Sequence, residues 1–179
     1  MLFVADTHNC RVQVFRLSGG AQIRSFGSPG QGNGQFIAPS DLCVSPCGEL
    51  LFIADTGNHR VQVHRVSDGA YVRSIGSKGT GLGQFDMPWG LCLSPDGELL
   101  IVGDYNNHRV QVLRALEGAR VLTIGCEGSG DGEFEFPYRV CASPSGRVAV
   151  RRRCRQRPRA SVPRVGRRAH ALVWLARQR

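Results

Sequence analysis

Four sets of side chains in this sequence have the types and spacing to do chemistry. An aspartate stands five residues ahead of an arginine three times, as Asp6/Arg11, Asp55/Arg60 and Asp104/Arg109. A carboxylate beside a guanidinium can serve acid–base catalysis, or it can fix a turn through charge-assisted hydrogen bonds. His59 and His108 occupy identical Asn-His-Arg triplets, with His8 earlier in the matching first turn. Imidazoles arranged round a ring can converge on zinc. Gly30-x-Gly32-x-Gly34, copied at Gly79 and Gly128, has the glycine density of a phosphate cradle. Cys43-x-x-x-Cys47 offers two thiols at close spacing.

Repetition decides among these readings. A catalytic pair is needed once, so an Asp/Arg pair in every copy points to a structural role, with the carboxylate bonding turn amides or the guanidinium. A nucleotide fingerprint needs a helix after its glycines, and here Phe36 and Pro39 follow. The glycines therefore read as a flexible connection between units. The histidines lack a further matching ligand set, and the cysteine pair lacks a second pair, so no metal and no cofactor are expected. No Ser/His/Asp constellation is confined to one copy. A non-enzyme is the expectation.

The elements that position these residues follow from a repeat of 49 residues. Arg11-Val12-Gln13-Val14 returns as Arg60-Val61-Gln62-Val63 and Arg109-Val110-Gln111-Val112. Gly34-Gln35-Phe36 returns at Gly83 and Gly132, then come Pro39, Pro88 and Pro137, then Ser45-Pro46, Ser94-Pro95 and Ser143-Pro144. Within one unit, Leu42–Val44 reads as a short strand and Leu50–Ala54 as a strand covered on both faces. Arg60–Val66 and Ala70–Ile75 alternate polar and apolar residues, as half-buried strands do. Four short strands per tandem unit is the arithmetic of a propeller blade.

The run Gly-x-Phe-x-x-Pro, Ser-Pro-Asp-Gly-Glu and Ala-Asp-x-x-Asn-His-Arg-Val-Gln-Val closely resembles the NHL repeat over residues 2–150. The resemblance implies an all-β, partial β-propeller of NHL type with four-stranded antiparallel blades. NHL propellers are commonly six-bladed and serve as recognition modules in tripartite-motif ubiquitin ligases, translational repressors and receptors. A minority, such as peptidylglycine amidating lyases, are metal enzymes. The blades are expected at about 1–27 (partial), 28–76, 77–125 and 126–150 (partial). On this reading the chain starts inside a blade, and its exposed blade edges offer pairing to another chain.

The net charge of +9 invites a nucleic-acid reading. Residues 1–150, however, hold 12 Lys and Arg against 14 Asp and Glu, and residues 151–179 hold 11 Arg and no acid. All the basicity lies in the tail. That tail is expected to be irregular, disordered or a short helix over Ala169–Ala176, or else a fourth repeat read in the wrong frame. A CGN arginine codon followed by C becomes GNC one nucleotide later, encoding Val, Ala, Asp or Gly. The shifted tail can then spell VADAGNDRVQVFRASDGAH, and Arg153 stands where the 49-residue step places the repeat aspartate. No apolar run reaches the roughly 20 residues that span a bilayer. Cys43, Cys92 and Cys141 share one apolar slot, which suits buried thiols and a reducing, cytoplasmic compartment.

Function is expected where copies differ. Ser40, Trp89 and Tyr138 share the slot after the repeat proline, and Thr7, Thr56 and Tyr105 share the adjoining turn. Aromatics there suit a protein or peptide partner, with RNA as the alternative and a metal-dependent lyase or hydrolase as the third reading. The frame is directly testable. Sequencing the transcript across the Val150 codon is expected to show a shifted frame encoding VAD…RVQV, and any other shifted product refutes the misread repeat.

Overall fold

A computed structural model describes residues 1–152 and 173–175 of the chain. The first sheet contains β1 (Leu2–Asp6), β2 (Arg11–Phe15) and β3 (Gln22–Phe26). A short parallel pair follows, β4 (Ser28–Pro29) with β5 (Gln35–Phe36). The second sheet is β6 (Pro39–Val44), β7 (Leu50–Asp55), β8 (Arg60–Arg65) and β9 (Tyr71–Ile75). The third is β10 (Pro88–Leu93), β11 (Leu99–Asp104), β12 (Arg109–Arg114) and β13 (Arg120–Ile124). The fourth joins β14 (Pro137–Ala142), β15 (Val148–Arg152) and β16 (Val173–Leu175). Every pair within these four sheets is antiparallel, and the sheets are propeller blades. The described strands do not close into a ring.

Period-two patterning explains how the blades stack. Leu51 and Ile53 point one way from β7 and are fully buried against Val12 of the first blade and Phe36 of the connecting loop. Phe52 and Ala54 point the other way, against Leu91, Leu100 and Val102 of the third. A strand covered on both faces must be apolar throughout, as β7 and β11 are. Each such side chain contributes about 1.5–3 kcal/mol on burial. The connecting loop is closed by a ring under a glycine. A Cβ on Gly27, Gly76 or Gly125 would lie 2.5, 2.4 or 2.2 Å from Phe36, Phe85 or Phe134, all three glycines having positive φ.

The fourth blade departs from the 49-residue step. Leu42 pairs with Ile53 and Leu91 with Val102, but Val140 pairs with Val150, one residue earlier than the step requires. Its hairpin is one residue shorter. Ser45 and Ser94 N–H groups donate to Leu50 and Leu99 carbonyls, whereas Ser143 N–H donates to Arg147. Arg152, not Arg153, therefore stands opposite Pro137 where Asp55 and Asp104 stand opposite Pro39 and Pro88. Burial is the physical reason. The shorter turn aims Val148 and Val150 at Ile101, Val110 and Val112, and the unshifted register would aim Ala149 and Arg151 there instead. Burying an unpaired guanidinium costs far more than one turn residue.

Two further expectations change. Val173–Leu175 pairs antiparallel with Val148–Val150 and is a strand rather than part of a short helix. The frameshifted or disordered alternatives for 153–172 and 176–179 lie outside the described residues. Cys43 and Cys92 are partly buried as expected, but Cys141 is exposed, because the outward face of β14 carries no covering sheet among the described residues. Burial pushes the Cys43 thiol up, and pushes Cys92 up to about 12, so both stay protonated. The six described cysteines are free thiols.

His64 occupies a slot filled by Phe15 and Leu113 in the other copies. It is 1% exposed, ringed by Phe26, Phe36 and Tyr71, and its Nδ1 lies 2.9 Å from the Gly69 carbonyl. Burial lowers its pKa from 6.5, against smaller opposing effects of the Gly69 carbonyl and Asp55, with Arg60 adding to the lowering. The folded state therefore holds the neutral ring while the unfolded chain takes up a proton below about pH 6.5. The blade 1–blade 2 seam should lose stability as pH falls through that value, and the loss should level off below the lowered folded pKa. Thermal melts at pH 7.5 and 5.0 test this: His64→Leu should flatten the acid-side fall, and an unchanged fall places its origin elsewhere.

Candidate functional site

Asp55 and Asp104 are fully buried at the ends of β7 and β11. Asp55 Oδ1 accepts from Ile37 N–H at 2.9 Å, and Oδ2 accepts from Arg60 Nε and Gln62 Nε2 at 2.8 Å each. Asn58 Nδ2 donates to both oxygens at 3.0 and 2.9 Å. Asp104 repeats this arrangement with Asp86 N–H, Arg109, Gln111 and Asn107. The donors reach onward to the glycine loop. Arg60 Nη2 donates to the Gly32 and Gln35 carbonyls, Asn58 to Gly30, and Gln62 to Gln35. The glycine-rich segment is thus a pinned inter-blade connection, its carbonyls held by protein donors. Asp6 keeps Arg11, Gln13 and Asn9, but Arg11 is 40% exposed; the hydrogen bond from Arg11 leads the lowering of the Asp6 pKa.

The histidines sit between blades. His59 Nδ1 lies 3.1 Å from Met87 N and also 3.1 Å from Asp86 Oδ1; His108 Nδ1 lies 3.5 Å from Phe136 N. His8 is exposed in the Thr7–Asn9 turn. Among the described residues no group of three or more His, Cys, Asp or Glu side chains is placed to hold a metal ion. No described helix is long and apolar enough to cross a membrane.

The variable slots lie at one rim of the blades, at the start of the first strand and the turn after the second. At the seam between blades two and three they form a hydroxyl clasp. Ser40 Oγ and Thr56 Oγ1 are 2.6 Å apart, Ser40 Oγ lies 2.8 Å from the Trp89 carbonyl, and Thr56 Oγ1 lies 2.7 Å from the Pro88 carbonyl. Each hydroxyl has a single proton, so two of these three contacts at a time are full hydrogen bonds, and Thr56 is buried. At the next seam the same slots hold rings. Trp89 packs on Tyr105 at 5.5 Å between centroids, Tyr105 on Phe136 at 4.9 Å, and Phe136 on His108 at 4.4 Å. All four rings are partly exposed. Tyr138, on β14, lies under the Arg151 guanidinium at 5.7 Å. Thr7 is part-exposed in the first turn.

Two glycines make room at this seam. A Cβ on Gly90 would come within 2.6 Å of the Tyr138 carbonyl, and one on Gly103 within 2.8 Å of the Pro137 carbonyl. Phe136 was not among the residues singled out by sequence. Its slot holds Ala38 and Met87 in the other copies, so the variation was visible. What the residue string did not show was the positive φ of 49° that turns Phe136 towards Tyr105.

Residues 36–63 and 85–113 match the NHL repeat. The chain carries an NHL-repeat segment. Solved structures resemble it in fold: hydrazine synthase of Kuenenia stuttgartiensis superposes with a TM-score of 0.64 at 16% identity, over 83% of this chain and 38% of that one. U3-55K does so with a TM-score of 0.64 at 14% identity, over 83% and 41%. The WD40 repeats of RRP9 give 0.64 at 14%, over 83% and 40%. The chain thus spans about two-fifths of the length of those chains, and at such identities the likeness is one of fold alone. No curated protein matches it in sequence.

The aspartate network generates a stability prediction. Asp104→Ala strips a buried carboxylate from Arg109, which is 12% exposed, and from three other donors. Removing one partner of a buried pair costs ~3–5 kcal/mol. Asp6→Ala, at a half-exposed site, should cost about 1 kcal/mol or less. Urea melts of the two variants compare them, and equal losses would show that burial of the network does not set its strength.

Proposed function

We propose that these NHL blades form a non-catalytic recognition scaffold for a protein or peptide partner, with the rim at the third and fourth blades as the contact surface. The observation that carries this reading is the continuous, part-exposed run Trp89–Tyr105–Phe136–His108 across a blade seam. Aromatic side chains that are packed on one side and wetted on the other are the usual anchors of protein interfaces. Ser40 and Thr56 support the rim from the neighbouring seam, their hydroxyls engaged with the backbone under Trp89. Tyr138 occupies the slot after the repeat proline on β14, as Trp89 does on β10. On the resemblance to NHL proteins, the partner would be brought to an activity elsewhere, such as that of a ubiquitin-ligase-like assembly. RNA is the weaker reading, since residues 1–150 carry two more acidic than basic side chains and offer no phosphate-tracking stripe.

Trp89→Ala and Tyr105→Ala should each reduce partner capture by immobilised full-length chain at least several-fold, as interface anchors do. Trp89→Phe should retain most of it. Nuclease treatment should leave capture unchanged, and melting temperatures of the variants exclude unfolding. Capture that disappears with RNase, or persists undiminished in both alanine variants, refutes the proposal.

A further inference from the structure

A second feature lies off the rim, where the first strands of the blades converge. β6, β10 and β14 pack side by side and line an open cavity of ≈ 680 Å³ whose walls include Asp41, Cys43, Leu91, Cys92, Arg139 and Arg151. Three cross-strand positions can be compared round it. The slot that pairs Asp41 with Ala54 in the second blade holds Gly90 and Gly103 in the third, and pairs Arg139 with Arg151 in the fourth. The one-residue shortening of the fourth hairpin is what brings Arg151 opposite Arg139.

Two guanidinium groups directly opposite on neighbouring strands repel each other. Both residues are exposed, and neither takes part in an ion pair among the described residues. Arg151 lies over the Tyr138 ring, which restrains it without neutralising it. The acid that faces Arg139 is already engaged. Asp41 Oδ1 accepts from Leu42 N–H and Oδ2 from Leu91 N–H, each at 3.0 Å. Its charge lies across the cavity, each oxygen already accepts one backbone bond, and it forms no ion pair with Arg139 or Arg151. The arrangement therefore has two planar, five-donor cations on the wall of one cavity, neither of them ion-paired among the described residues and with a single, partly engaged carboxylate between them and the far wall.

We infer that the cavity between β6, β10 and β14 is a carboxylate-binding site, in which Arg139 and Arg151 together clasp an acidic side chain of a peptide. A carboxylate accepts two parallel N–H bonds from a guanidinium and would relieve the repulsion between the two arginines. The remaining walls suit a peptide: Leu91, Leu93 and Val140 with Cys43 and Cys92 give an apolar lining on which neighbouring aliphatic side chains can rest. A nucleic-acid strand fits less well, because the rest of the lining is largely apolar and residues 1–150 carry two more acidic than basic side chains. The inference goes beyond the rim proposal and uses none of its residues except Tyr138, which holds Arg151.

The probe is the blocked tripeptide Ac-Leu-Glu-Leu-NH2 against Ac-Leu-Gln-Leu-NH2, titrated into the full-length chain and followed by calorimetry. The glutamate peptide should bind at least about tenfold more tightly than the glutamine peptide. Arg139→Gln and Arg151→Gln should each erase most of that preference. Arg139→Lys, which keeps charge but loses the fork, should retain an intermediate share. Arg120→Gln, on an outer strand, should leave the preference intact, and so should Trp89→Ala, which separates this site from the rim. Equal affinity for the two peptides, no saturable binding at millimolar peptide, or a preference that survives in Arg139→Gln would each overturn the inference. Tighter binding of an oligouridylate than of the glutamate peptide, lost in the same variants, would overturn it in favour of a phosphate site.

Discussion

A buried carboxylate with no exposed surface is the constraint on which the rest of each blade depends. Isolated, such a group would not stay ionised inside a protein, so it must collect donors or be eliminated. Asp55 and Asp104 collect them from three directions: a backbone N–H of the loop before the blade, an asparagine in their own turn, and the Arg and Gln that begin the next strand. Because the same Arg, Asn and Gln also donate to the glycine-loop carbonyls, one charge fixes a hairpin and an inter-blade connection together. The first sheet separates the two jobs. Asp6 accepts the same hairpin bonds from Asn9, Arg11 and Gln13 at a more open site.

With loops fixed in this way, blade stacking reduces to matching apolar faces, and variation is free to accumulate only at the ends of strands. The rim shows how. The second and third blades meet through two hydroxyls bonded to backbone, and the third and fourth meet through stacked rings. Both solutions close the same seam. The hydroxyls consume their polarity in closing it, whereas the rings leave part of their faces in solvent. That difference is why the third and fourth blades, rather than the second, carry the functional proposal.

Much of this was legible in the residue string because a repeat reports the same experiment several times. Strand positions, the recurring Asp/Arg pair and the propeller class all follow from features that agree across copies. What was not legible falls into two kinds. Contacts made by residues with positive φ, such as Phe136 beside Tyr105, depend on backbone geometry that the residue type does not announce. Burial of Thr56 was hidden for a different reason: its hydroxyl bonds a carbonyl 32 residues away in the next blade, a long-range contact that the residue type does not announce. The comparison of copies identified the variable slots but could not tell which of them faced water.

The register of the fourth blade is the sharper case, because there the repeat itself misled. Counting in steps of 49 assigns Arg153 to the aspartate position and directs Arg151 into the apolar seam. Deleting one turn residue exchanges that burial for Val148 and Val150, and the hairpin still closes with Ser143 bonded across it. A turn is the place where one residue can be lost without moving a core side chain to the wrong face, provided the whole strand slips with it. The slip has a chemical consequence that sequence counting hides. It moves Arg151 off the interface with the third blade and across from Arg139, the place that counting in steps of 49 gives to Arg152. The same apolar requirement that preserves the fold therefore sets where its unpaired charge is displayed.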